Sequence, residues 1–133
     1  MANPIVERNN ELLNSVCSGD VNKAITAIRS YGYDINGYNY YGPAGLTLLD
    51  AYVNKFCDGK VSTLDINILI ELRNRWADFY QSFDFKLSPI LRLLYEQNSP
   101  GASRSRRIEA FGIMIQTLGK DFLLMILLYV IFF

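Results

Sequence analysis

The side chains best suited to chemistry in this chain are aromatic and amide groups rather than acids, bases or thiols. Tyr38-Asn39-Tyr40-Tyr41 is one such stretch, and Tyr80-Gln81 followed by Phe83 and Phe85 is a second. Tyrosine and asparagine together give rigid amphipathic contact area with adaptable hydrogen bonding, the composition of binding loops. Reaction chemistry finds less support. Histidine is absent, which removes the usual general base, the Ser-His and Cys-His nucleophile pairs and the commonest metal ligand. Asp50, Asp65, Glu71 and Asp78 fall at no metal-ligand spacing and form no catalytic pair, and no glycine-rich phosphate loop occurs. Arg104-Ser105-Arg106-Arg107 is a short basic cluster that suits a phosphate, an acidic partner or plain solvent. These residue types point away from an enzyme and from any cofactor, and toward binding.

Composition narrows the partner. Thirteen basic and 13 acidic residues cancel, which disfavours an extended electrostatic surface for nucleic acid. Half of the 133 residues are hydrophobic, enough for one domain with a sizeable core. Cys17 and Cys57 both fall in apolar helical patterns and read as buried thiols in a reducing compartment, with a disulfide as the minority reading. Met1 to Asn10 contain no apolar run and so no secretory-signal pattern.

Helices must position the aromatic stretches. Asn9 or Asn10 can cap a first helix bearing Leu12, Leu13, Val16 and Cys17. Ser18-Gly19-Asp20 ends it, and Asp20 can cap a second with Val21, Ala24, Ile25 and Ile28 on one face. Asn36-Gly37 signals a tight turn, and the tyrosines after it favour extended backbone, so residues 34–45 predict a projecting finger. A third helix carries Leu48, Leu49, Tyr52, Val53 and Phe56, and Asp58-Gly59-Lys60 stops it. Its partner, capped by Ser62, Thr63 or Asp65, turns Leu64, Ile68, Leu69, Leu72 and Trp76 inward. Phe79 to Lys86 repeats the finger, and Ser88-Pro89 opens a helix with core face Ile90, Leu93 and Leu94. Gln97 to Arg107 reads as an exposed loop, and a last paired helix runs from about Ile108 to Leu118 with Phe111 and Ile115 on its apolar face.

Tyr33-Asp34-Ile35, Ala77-Asp78-Phe79 and Lys120-Asp121-Phe122 each close such a helical run, with the aspartates 44 and 43 residues apart. A fixed interval of this kind points to stacked repeats. Gly32-Tyr33-Asp34-Ile35-Asn36, Trp76-Ala77-Asp78-Phe79 and Gly119-Lys120-Asp121-Phe122 resemble the exit of an ankyrin repeat, and Gly45-Leu46-Thr47-Leu48-Leu49-Asp50 and Leu87-Ser88-Pro89-Ile90 resemble its opening. The ankyrin unit is about 33 residues, and insertions at Asn54 to Thr63 and Gln97 to Arg107 account for the excess. Asp50 and Leu91 stand where the family carries histidine, and Tyr52 where it carries alanine. The competing architecture is an unrelated helical bundle, which has no need of two aromatic fingers at corresponding places.

The resemblance implies an all-α fold: an ankyrin-like α-solenoid of stacked helix-turn-helix repeats with projecting fingers. One domain would cover 1–133, with a partial repeat at 10–37, repeats at 38–79 and 80–122, and a tail at 122–133. The resemblance further implies a protein partner held by finger tips and inner helix faces. Tyr38, Asn39, Tyr40 and Tyr41 would form the first tip, Tyr80, Gln81 and Phe83 the second, and Asp50 part of the inner face. It also implies a cytoplasmic protein, in its own cell or, for a delivered effector, in a host cell. The run Phe122 to Phe133 is apolar throughout. Twelve helical residues reach about 18 Å, short of the ~30 Å bilayer core. It is expected to cover the last repeat; the alternatives are that it is half of a longer segment, or that it dips into a membrane surface or a partner's groove.

Overall fold

Side-chain acceptors placed just ahead of apolar runs set where most helices begin. The computed structural model describes residues 4–37, 46–80, 88–95 and 101–132. Its helices are α1 (Pro4–Val16), α2 (Val21–Ser30), α3 (Leu48–Cys57), α4 (Ile66–Asn74), α5 (Pro89–Tyr95), α6 (Arg104–Leu118) and α7 (Lys120–Phe132). The fold is all-α, with no strand among the described residues. The Asp20 carboxylate accepts the Lys23 N–H at 3.1 Å, and Asp65 accepts those of Asn67 and Ile68 at 2.8 and 3.4 Å. At α3 the cap is reciprocal: Thr47 Oγ1 accepts the Asp50 N–H at 3.1 Å and donates to the Asp50 carboxylate at 3.2 Å. Ser88 accepts the Leu91 N–H at 3.3 Å, ahead of a proline that has no N–H to lose.

Two helix starts differ from the sequence reading. α1 begins at Pro4, so Asn9 lies inside it; Asn9 is buried and accepts a hydrogen bond from the Tyr31 hydroxyl. α6 begins at Arg104 because Ser103 caps it through the Arg106 N–H at 3.3 Å. The basic cluster therefore occupies the first turn of a helix, not an exposed loop.

The helices form two successions. α1 touches α3 and α3 touches α5, while α2 touches α4 and α4 touches α6. α1 also packs along α2, and α5 along α6. α3, flanked on both sides, buries Leu48, Leu49, Asp50, Ala51, Tyr52, Val53, Phe56 and Cys57. The core continues through Leu12, Leu13 and Val16 of α1, Ala24 and Ile28 of α2, Ile68, Leu69 and Leu72 of α4, and Ile90 and Leu93 of α5. Removing this apolar surface from water, at roughly 25 cal/mol per Å², is the main force holding the successions together. In α6, Phe111 and Ile115 pack partly buried against the core, as their spacing predicts. Ala110, Met114, Thr117 and Leu118 are buried, whereas Ile108 is half exposed. Leu94, expected in the core, is also exposed.

The two inter-helix insertions meet. The Gly101 N–H donates to the Cys57 carbonyl at 3.2 Å, and a Cβ on Gly101 would fall inside the Asp58–Gly59 peptide. Arg106 fastens the contact by donating to the carbonyls of Gly101 and Ser62 while lying over the Phe56 ring, 5.4 Å from its centroid. Arg107 donates to the Leu93 carbonyl at 3.3 Å. Both guanidinium groups are thus engaged by the chain itself. α7 touches only α6 among the stronger helix contacts, through a start where Phe122 is buried and meets the Phe111 ring edge-on at 5.8 Å.

Candidate partner-binding site

Asp34 and Asp78 build the same turn 44 residues apart. Each carboxylate accepts the backbone N–H two residues on, from Asn36 and from Tyr80, both at 2.9 Å. This is the local hydrogen bond that short acidic side chains offer a turning backbone. The residue after each aspartate, Ile35 or Phe79, is driven into the core. The turns are also tied to each other and to the second succession of helices. Asn36 donates to the Trp76 carbonyl and accepts from the Asp78 N–H, each at 2.8 Å. Arg75 donates to the carbonyls of Ile28, Tyr31 and Tyr33 at 2.6, 2.9 and 3.3 Å, around and beyond the end of α2.

Asp121 departs from this pattern. α6 closes at Gly119 and α7 restarts at Lys120, so Asp121 lies in a helical first turn where the other two aspartates form turns. It pairs instead with Arg73 at 2.7 Å, and Arg73 also donates to the Thr117 carbonyl at 3.2 Å. Arg29, 44 residues before Arg73 and likewise late in its helix, pairs with Glu71 of α4. Phe122 is buried as Ile35 and Phe79 are, so the packing half of the pattern survives.

Trp76 is not in the core. α4 ends at Asn74, and the Trp76 backbone takes φ +64°. The Trp76 N–H donates to the Arg73 carbonyl and the Ala77 N–H to the Leu72 carbonyl, at 2.9 and 3.0 Å. That is the glycine-type helix ending, with tryptophan at the left-handed position. The reversal swings the indole off the helical period, and Trp76 is 86% exposed.

Comparison with protein-family models, curated proteins and solved structures finds no match.

Behind Trp76 lies a cavity of about 770 Å³ lined by Asn36, Arg73, Ala77, Asp78, Tyr80 and Asp121, among others. The Tyr80 hydroxyl is enclosed and has no hydrogen-bond partner among the described residues. Burial pushes its phenol pKa up; the Asp121 and Asp78 carboxylates add to the rise and Arg73 opposes it.

Of the residues expected to bind a partner, Tyr80 therefore lines a cavity. Tyr38, Asn39, Tyr40, Tyr41, Gln81 and Phe83 lie outside the described residues. Asp50 is a correction: it is buried, 3.8 Å from the Arg92 guanidinium, and Arg92 also donates to the Asp50 carbonyl at 3.4 Å. Its carboxylate joins α3 to α5 instead of facing outward. Asn36, Arg73 and the outward turn of Trp76 escaped the sequence reading. The interval that links Asp34 to Asp78 also links Arg29 to Arg73 and was the available signal for that arginine.

Proposed function

We propose that this chain is a non-enzymatic protein-binding module, built as an ankyrin-like stack of helical hairpins. The observation that carries the reading is the matched pair of aspartate turns at Asp34 and Asp78, interlocked through Asn36. The two helical successions and the 44-residue interval between Arg29 and Arg73 support the same translation from unit to unit. A stack of this kind presents loops along one edge as a recognition surface. The Tyr38–Tyr41 and Tyr80–Phe83 stretches follow the two turns directly and supply the contact chemistry. Cytoplasmic placement suits Cys17 and Cys57, which are thiols and not a disulfide. The test is a pull-down with the intact chain. Replacing Tyr40 and Tyr41 by alanine is expected to abolish retention of the partner while helical circular dichroism stays unchanged. Undiminished retention would remove the fingers from the recognition surface.

A second reading has its own observation. α7 exposes Leu123, Leu124, Leu127 and Ile131, each by more than half. Such a face suits a lipid surface, although no helix among the described residues is long and apolar enough to cross a membrane. Flotation with phosphatidylcholine vesicles should be lost on Leu124→Glu with Leu127→Glu. A wild-type chain that stays at the bottom of the gradient sinks this reading.

A further inference from the structure

Trp76 is the chain's sole tryptophan, and its setting serves stability poorly. A left-handed backbone is strained for any residue bearing a Cβ, and an indole that is 86% exposed gains little from burial. Strain of this kind, held in place by two good hydrogen bonds, marks a position kept for contact with something else. The cavity beside it has a definite charge character. Among the described residues that line it, two carboxylates, Asp78 and Asp121, stand against one guanidinium, Arg73. The Asp121 side chain is 59% exposed while holding Arg73 through Oδ2, which leaves it capacity for a second donor. An accessible aromatic face beside a net negative charge favours a cation, and a planar guanidinium satisfies both features at once.

We propose that this cavity takes an arginine side chain presented by a partner protein, its guanidinium stacked on the Trp76 indole and bonded to the Asp121 carboxylate. The proposal rests on the protein-binding reading above and supplies the residue type that reading leaves open. The apolar Ala77 and Leu118 line the space available to the aliphatic stem. An acidic side chain entering the same space would meet two carboxylates, with Arg73 already engaged by Asp121 and the Thr117 carbonyl.

Because Trp76 is the only indole, its emission reports this site directly. The intact chain is titrated in low salt with a blocked Gly-Gly-Arg-Gly-Gly peptide and with its glutamate and leucine counterparts. The arginine peptide is expected to give a saturable change in emission, weakened about tenfold by Asp121→Asn, the loss of one charge-assisted hydrogen bond. Trp76→Gly, followed by calorimetry, should abolish arginine binding while raising the thermal midpoint, since glycine suits the left-handed position. An equal response to the glutamate or leucine peptide overturns the proposal. So does undiminished arginine binding by Trp76→Gly in a chain that remains folded. A silent titration rejects the cavity assignment alone, whereas an intact chain that captures no protein in a pull-down rejects the module reading itself.

Discussion

Asp78 donates its backbone N–H to the side-chain oxygen of Asn36 at 2.8 Å, and the same amide returns a donor to the carbonyl of Trp76. One side chain from the first turn thus satisfies two main-chain groups of the second. Asn36→Ala is expected to lower stability by about 1–2 kcal/mol, the cost of leaving such groups without their partner. Urea unfolding should show a lower midpoint with an unchanged slope.

Gly101 and Gly59 are the tightest backbone approach between the inter-helix loops. At Gly101 the obstructing atoms are main chain, so no side-chain rotation can relieve a methyl group. Gly101→Ala should therefore destabilise by about 2 kcal/mol or more. Calorimetry should also show a smaller loss for alanine at Gly19, where a Cβ meets nothing within 4 Å although φ is +86°.

The Asp50 and Arg92 side chains are only 4% and 7% exposed, and they bring opposite charges into the contact between α3 and α5. Removing one charge from a buried pair leaves the other uncompensated, at a cost of about 3 kcal/mol. Arg92→Met is expected to show a loss of this size. Adding Asp50→Asn, which neutralises the stranded carboxylate, should recover part of it. A double-mutant cycle measures the coupling.

Tyr52 is fully buried, and its hydroxyl accepts the Asp65 N–H at 3.0 Å. Burial first, and the nearby Asp65 charge among the lesser causes, push its pKa from 10.0 up to about 12, against the lowering effect of that hydrogen bond. The folded state holds this proton more tightly than the unfolded state. The resulting stability is whole below pH 10 and is lost as pH rises toward 12. Denaturation followed across that window should show stability falling in the wild type and a shallower fall in Tyr52→Phe.

Much of the scaffold was readable because its signals are local. Asp20, Asp65 and the Ser88-Pro89 pair cap helices as their types dictate, and the apolar period of α3 names residues that become core, as do Ala24 and Ile28 in that of α2. The candidate site was less readable because long-range contacts decide it. Trp76 fits the helical period of α4 by residue type, but the reversal at Asn74 turns it outward. Asn9 resembles a helix cap until Tyr31 arrives from the next helix to bury it. Asp50 resembles a surface acid until Arg92, 42 residues later, reaches it. Arg104 to Arg107 read as a solvated loop, yet Ser103 starts a helix there and two of the guanidinium groups find carbonyls.

The crossing of the two loops ties together segments that otherwise extend independently. Gly101 lodges against the Asp58–Gly59 peptide and Arg106 clasps Ser62, so each connection is seated on the other. A designer wishing to append or excise a unit would have to carry both connections across as a matched set, because either one alone would lose its seat.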